Sequence, residues 1–213
     1  GINQERLREI DMFVSHEGLH LEYEHSLIRK NRDNNYYLHS THMPWIGNRT
    51  RGLDSAHLEL FRGIENPIGV KLDAETECEY LKDLLKILNP HNEAGKILLI
   101  TRMAANRVED NLPKLIDLVK TKELNVLWSC DPMHGNTIKV SANLKTRHFD
   151  DILKELTSTF HLHRKMQSRL SGLHFELTGS DVTECIGGMT ELEEKDLSKN
   201  YESYCDPRLN YIQ

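Results

Sequence analysis

Trp128-Ser129-Cys130-Asp131-Pro132-Met133-His134-Gly135-Asn136-Thr137 is where an apolar, strand-like run from Val126 to Trp128 breaks off into groups that bind metal or carry protons. Asp131 and His134 are the chemically able side chains, and Pro132 and Gly135 tighten the backbone around them. Asp, His, Gly and Asn at a strand's end, with a helix to follow, commonly build a site. The same residues also fit a plain loop, with Asp131 capping a turn and His134 exposed. The flanking sequence decides between the two.

Immediately upstream, Ile97 to Ile100 reads as a strand with Arg102 just past it. The helix that follows carries Val108, Leu112, Leu115 and Val119 on one face, with Pro113 near its first turn, where proline is tolerated. Further back, Ile68 to Leu72 is a strand with Lys71 inside it. Its helix shows Cys78, Leu81, Leu85 and Leu88 on one face and stops at Asn89-Pro90. Downstream, Phe149, Ile152, Leu156 and Phe160 form another helical stripe, and Leu173 to Leu177 a strand containing Glu176. Thr190 to Asn200 is highly charged and predicted helical, and leads to Cys205-Asp206-Pro207-Arg208-Leu209-Asn210. At the other end, residues 4–30 are helical in pattern (Leu7, Ile10, Phe13, Leu19, Leu21, Tyr23, Leu27), with Ser15-His16-Glu17 as the cap of a second helix. A polar turn, Arg32 to Asn35, precedes a strand from Tyr36 to Met43, which runs into a bend bearing Arg49 and Arg51.

Short apolar strands alternating with amphipathic helices predict a parallel sheet flanked by helices. Lys71, Arg102, Asp131 with His134, Glu176 and Asp206 fall at or just after successive strand ends. In a (β/α)8 barrel those ends converge on one face. A doubly wound sheet would spread them along a crevice, usually beside a glycine-rich phosphate loop, and no GxGxxG or P-loop pattern occurs. The expectation is a (β/α)8 TIM barrel.

At 213 residues the chain is read as one domain, 1–213, or the larger part of one. A hydrophobic fraction of 38% can supply a core, and a net charge of −6 argues against generic nucleic-acid binding. No apolar run approaches the roughly 18 residues of a membrane span, and no signal-peptide pattern opens the chain. The scattered Cys78, Cys130, Cys185 and Cys205 read as reduced thiols of a cytoplasmic protein. A first residue of Gly rather than Met suggests a fragment or a processed chain.

Two classes of group gather at the strand ends. Arg49, Arg51, Lys71, Arg102 and Lys145 are cations suited to phosphate and carboxylate. His134, Glu176 and Asp206 offer one imidazole and two carboxylates, a donor mix that suits manganese, cobalt, iron or zinc. Each has a bland counterpart: Lys71 snorkelling from a strand end, Arg102 in a structural ion pair, Glu176 pointing to solvent. His161 and His163 are read as surface residues, and Asp150 and Asp151 as a solvated helix start.

The chain resembles the class II (plant-type) 3-deoxy-D-arabino-heptulosonate 7-phosphate (DAHP) synthases. The resemblance is carried in order by Ser15–Glu24, Trp45–Arg51, Asn66–Lys71, Thr101–Met103, the opening stretch, Lys145–Asp150, Gly172–Gly179, Val182–Gly188 and Cys205–Asn210. It implies metal-dependent condensation of phosphoenolpyruvate with erythrose 4-phosphate, the entry step of the shikimate pathway to aromatic amino acids. It also implies His134, Glu176 and Asp206 as metal ligands, with Mn2+ or Co2+ preferred and Fe2+ or Zn2+ allowed. Arg49, Lys71 and Arg102 would bind phosphoenolpyruvate, helped by the backbone at Asn48. Lys145 is a further candidate for substrate, and Lys71, Arg102 and His134 are the residues expected to carry catalysis. The metal would polarise the sugar aldehyde while the cations hold the attacking partner in place. No nucleic-acid or membrane partner is implied, and the full-length protein is expected to be a homo-oligomer.

The departures matter too. The family's usual Glu stands as Asn48, its Gly-Pro after the lysine strand as Asp73-Ala74, and its Gly after Arg102-Met103 as Ala104. Family members are longer, so the first barrel strands, a metal-binding cysteine and the last barrel helix are expected to lie outside this chain. By itself it is then expected to be inactive. The alternative is a truncated, non-catalytic paralogue acting as a binding or regulatory module.

Overall fold

The computed structural model describes residues 11–140 and 144–213. Six strands form one wholly parallel sheet: β1 (Ser15–Glu17), β4 (Met43–Ile46), β5 (Ile68–Asp73), β6 (Ile97–Arg102), β7 (Leu127–Cys130) and β10 (Leu170–Leu173). They lie side by side in that order. A doubly wound sheet reverses direction partway along. This one never does, which is the winding of a barrel wall. Among the described residues the sheet stays open, with β1 and β10 at its edges. A parallel bridge between Leu177 and Leu209 lies beyond β10. Two small antiparallel pairs stand apart, β2 (Ile28–Lys30) with β3 (Tyr36–Leu38) and β8 (Ile138–Lys139) with β9 (Lys145–Thr146).

The strands alternate as the pleat requires. Ile68, Val70 and Leu72 of β5, with Ile97 and Leu99 of β6, join the main core. Against them pack Leu58 and Phe61 of α2 (Ala56–Phe61), Leu81, Leu84 and Leu88 of α3 (Cys78–Leu88), and Leu112, Leu115 and Ile116 of α4 (Val108–Thr121). Consecutive helices touch in chain order through α5 (Phe149–Lys165). The opposite face of β5 carries Gly69, Lys71 and Asp73. Gly69 is required there, since a Cβ would stand 2.8 Å from Cβ of Trp45 and 3.1 Å from Cδ1 of Ile100. This second face leads to the cleft.

Several expectations need correction. Residues 15–17 form β1, not a helix cap, because they pair with Met43–Trp45; only Leu21–Ser26 (α1) of the described part of the 4–30 helix is helical. The first part of that helix, with Leu7 and Ile10, lies outside the described residues. The strand expected over Tyr36–Met43 splits: 36–38 turns back on β2, and the sheet strand runs 43–46 through Pro44. The strand placed at 173–177 is 170–173, so Glu176 follows its end. The charged segment 190–200 has only one short 3-10 turn, Glu194–Asp196. In α5 the buried face is Ile152, Glu155, Thr159 and His163, rotated from the apolar stripe, and Phe160 is left exposed.

Candidate active site

At the C-terminal ends of the parallel strands lies a cleft of about 810 Å³. Asn48, Arg49, Lys71, Arg102, His134, Lys145, Glu176 and Asp206 all line it, together with Glu17, Trp45 and His174. The strand direction explains the convergence: β4, β5, β6, β7 and β10 all deliver their last residues to the same side.

Asp131 is the centre of the arrangement. It is fully buried, and its Oδ2 accepts from Lys71 Nζ at 2.5 Å and from His134 Nδ1 at 2.7 Å. Its Oδ1 accepts from the backbone N–H of Met133 and His134, each at 3.1 Å. Burial alone would push the carboxyl up, but the His134 bond and the Lys71 charge outweigh it and hold Asp131 well below the usual carboxylate range. Burial draws Lys71 down, partly offset by Asp131. For His134, burial is outweighed by its bonds to Asp131 and Glu176, which push it up to about 9.

His134 Nε2 faces Glu176 Oε1 at 3.3 Å and Asp206 Oδ2 at 4.0 Å. One donor atom from each of the three lies within 4.8 Å of the others. One imidazole nitrogen and two carboxylate oxygens converging on a point suit a divalent transition metal. A second, overlapping group, Asp131, His134 and His174, also meets that distance, but Asp131 Oδ2 is already engaged by Lys71. The carboxylates are held from behind. Arg147, fully buried, donates from Nη1 to Glu176 Oε2 and to the Pro207 carbonyl, and from Nε to Thr137 Oγ1 at 2.9 Å. Lys145 Nζ donates to Asp206 Oδ1 at 2.9 Å. Burial raises Glu176 and Asp206; the His134 bond and Arg147 charge on the first, and the Lys145 bond on the second, bring both below their ordinary values.

The cations divide. Arg49 stands exposed in the cleft wall. Arg102 donates from Nη2 to the His134 carbonyl at 3.0 Å, while its buried Nε has no partner among the described residues. Arg51, grouped with the substrate-facing cations on sequence, turns away: it pairs with Asp73 at 3.0 Å, donates to Asn48 Oδ1 at 2.9 Å and stacks on Tyr80. Asn48 in turn donates to Asp73 at 2.6 Å. Two of the departures from the family pattern therefore touch one another. Asp73 closes β5 two residues beyond Lys71, so this contact ties the loop carrying Arg49 to the strand carrying Lys71.

The loop after β7 is latched to its neighbours. Glu155 of α5 accepts from Met103 N at 2.6 Å and from Asn136 Nδ2 at 2.7 Å, and Asn136 Oδ1 accepts from Ala105 N at 2.9 Å. Gly135 is obligatory here, because a Cβ would stand 2.6 Å from the Ala104 nitrogen. Ala104 itself sits at φ 73°, the left-handed region that the family's glycine would occupy without strain. His163, expected at the surface, is buried against Trp128 with its Nδ1 3.0 Å from Ser168 Oγ, and burial lowers it to about 4. Asp131's anchoring role, Arg147 and Glu155 were not singled out by sequence reasoning. Arg147 lay inside a quoted motif, which was its only signal.

A parallel, singly wound α/β chain with an anion-suited, metal-competent cleft at its strand ends is thus the class of protein the geometry defines. A profile of the class-II DAHP synthetase family matches residues 1–213, and the chain belongs to that family. It is similar to a phospho-2-dehydro-3-deoxyheptonate aldolase of Neurospora crassa, 48% identical over 226 positions that cover 98% of this chain and 47% of that protein. Proteins of the same name from Streptomyces coelicolor and Mycolicibacterium smegmatis are 44% and 43% identical, over 48% and 47% of their lengths. The chain spans about half the length of the curated relatives it matches. No helix among the described residues is long and apolar enough to cross a membrane.

Proposed function

We propose that this chain forms the greater part of the active-site wall of a DAHP synthase. In this reading it condenses phosphoenolpyruvate with erythrose 4-phosphate in the complete, homo-oligomeric, cytoplasmic protein. The six parallel strands are then part of a (β/α)8 barrel whose remaining strands come from outside this chain. The observation that carries the reading is the single cleft that gathers the cations and the His134–Glu176–Asp206 cluster at the same strand ends.

Within it, Lys71, Arg102 and Arg49 grip the carboxylate and phosphate of phosphoenolpyruvate, with arginine's paired donors matched to those planar groups. Lys71 is held for this by Asp131, and Arg102 by the His134 carbonyl. The backbone at Asn48 is assigned to the phosphate of phosphoenolpyruvate, and Lys145, in the same cleft wall, is a further candidate for substrate. A divalent metal, Mn2+ or Co2+ as the family resemblance implies, would when bound supply Lewis acidity toward the sugar's aldehyde oxygen. His134, Glu176 and Asp206 hold it, and Arg147 and Lys145 hold the two carboxylates in place. Much of the rate then comes from fixing two anionic substrates in attack geometry. A cleft that keeps these cations and the three-donor group together lends no support to a non-catalytic paralogue.

The test is turnover by the complete protein with both substrates and Mn2+. Phosphate should be released and phosphoenolpyruvate consumed, and His134→Ala should abolish both. A folded, metal-loaded protein with no turnover, or a His134→Ala variant with wild-type metal content and rate, refutes the assignment.

A further inference from the structure

We propose that Asp131 is a positioning residue that couples the metal donors to the anion-binding face of the cleft, an inference that rests on the reading of the cleft given above. Lys71 Nζ and His134 Nδ1 both donate to one oxygen, Oδ2, of a side chain with 0% exposure. Oδ1 is pinned by two backbone N–H groups of the following turn. The carboxylate therefore cannot rotate to favour one donor, and no water reaches it to replace the other.

Each donor leads to a different ligand. With Nδ1 donating to Asp131, His134 presents Nε2 toward Glu176 and Asp206. A carboxylate behind a ligating imidazole fixes its tautomer and raises its strength as a donor. Lys71 Nζ, on the other bond, lies 5.6 Å from the centre of the Trp45 ring in the wall of the cleft. An anion that draws Lys71 toward itself weakens the Lys71 bond to Oδ2. More of that oxygen's charge is then left to His134. Anion binding so strengthens the imidazole, and by linkage a cation at Nε2 tightens anion binding by the same factor. One buried oxygen thus links two sites that would otherwise fill independently.

Mn2+ binding to the complete protein, measured by titration calorimetry without and with saturating phosphoenolpyruvate, tests this. In the wild type, phosphoenolpyruvate should tighten Mn2+ binding by about fivefold or more. Asp131→Asn keeps an acceptor of the same shape but not its charge. It should bind Mn2+ about tenfold more weakly and show less than about twofold enhancement. Wild-type metal affinity or full enhancement in Asp131→Asn overturns the coupling. A wild type that binds both ligands with no enhancement overturns the coupling alone. A wild type that binds neither removes the reading of the cleft, and the coupling with it. Where Asp131→Asn does not fold, Mn2+ alone is titrated into two other variants. Lys71→Met leaves Oδ2 to His134 and should bind Mn2+ about fivefold more tightly, whereas Arg49→Met, which removes a cation of the same cleft without touching Asp131, should change affinity less than about twofold. Equal effects of the two overturn the proposal.

Discussion

Arg147→Met separates the two tasks assigned to the most buried cation among the described residues. The arginine is fully enclosed and satisfies Glu176 Oε2, the Pro207 carbonyl and Thr137 Oγ1 at once. Methionine fills much of its stem volume, so the loss is chiefly electrostatic. Removing one partner of a buried ion pair costs about 3–5 kcal/mol, and an orphaned carbonyl about 1 kcal/mol more. Glu176 is 26% exposed at its side chain, so water recovers part of the first figure. The expected net loss is about 3 kcal/mol, read as a fall in the urea midpoint with the slope unchanged. Glu176 would also lose the charge that helps hold it ionised, and metal affinity should drop about tenfold. The double variant Arg147→Met/Glu176→Gln should lose less stability than Arg147→Met alone, since no uncompensated charge remains. A single variant within about 1 kcal/mol of wild type, or strictly additive losses in the cycle, would show that Arg147 does not anchor Glu176.

Three further outcomes are expected. His134 is held up to about 9, against burial, by Asp131 and Glu176, so at pH 7.5 a metal must displace its Nε2 proton; calorimetry in buffers of different ionisation heats should count about one proton released per ion, and zero release would contradict the protonated state. Ala104→Gly should stabilise by about 0.5–1 kcal/mol, the left-handed penalty of about 1–2 less the extra backbone entropy of glycine, while Gly135→Ala should destabilise by about 1–3 kcal/mol because its Cβ meets the Ala104 backbone; the reverse order in thermal melts would refute the described turn. Burial raises Glu155 to about 7 from an ordinary 4.5. A carboxyl shifted up stabilises the fold fully below its unfolded value and loses that contribution as pH rises to its folded one, here about 3 kcal/mol between pH 4.5 and 7. His163, shifted down to about 4 by burial, has the opposite slope in the same window. The quantity to measure is therefore wild type minus Glu155→Gln, and a pH-independent difference would be the refuting result.

The middle of the fold was readable from the sequence because its elements are long and periodic. The apolar runs of β5 and β6 and the stripes of α3 and α4 carry their own signal. Ser15–Glu17 carries none: three polar residues become a strand only because Met43–Trp45 offers an edge, a tertiary fact. The α5 face was misread because apolar periodicity cannot see polar groups buried with partners, such as Glu155 and Thr159. At the site, the residue types at strand ends predicted one shared face, and those side chains do line one cleft. Their pairings were hidden, since Lys71 and Asp131, or Arg147 and Glu176, are far apart in the chain. Arg51 shows the cost: a cation beside Arg49 in sequence, yet committed to Asp73 on the outside of the cleft.

The unreversed strand order has a consequence for synthesis. Each strand of the sheet docks on the one made just before it, so every new edge is ready when the next segment leaves the ribosome, and few contacts must wait for distant chain. Lys71, Asp131 and His134 can close their buried contact while Glu176 and Asp206 are still untranslated. A nascent cleft at that stage offers a stray cation only one of the three donors, and that imidazole is already engaged through Nδ1 by Asp131. The three-donor group is therefore complete only once Asp206, the last of its carboxylates in the chain, has been made.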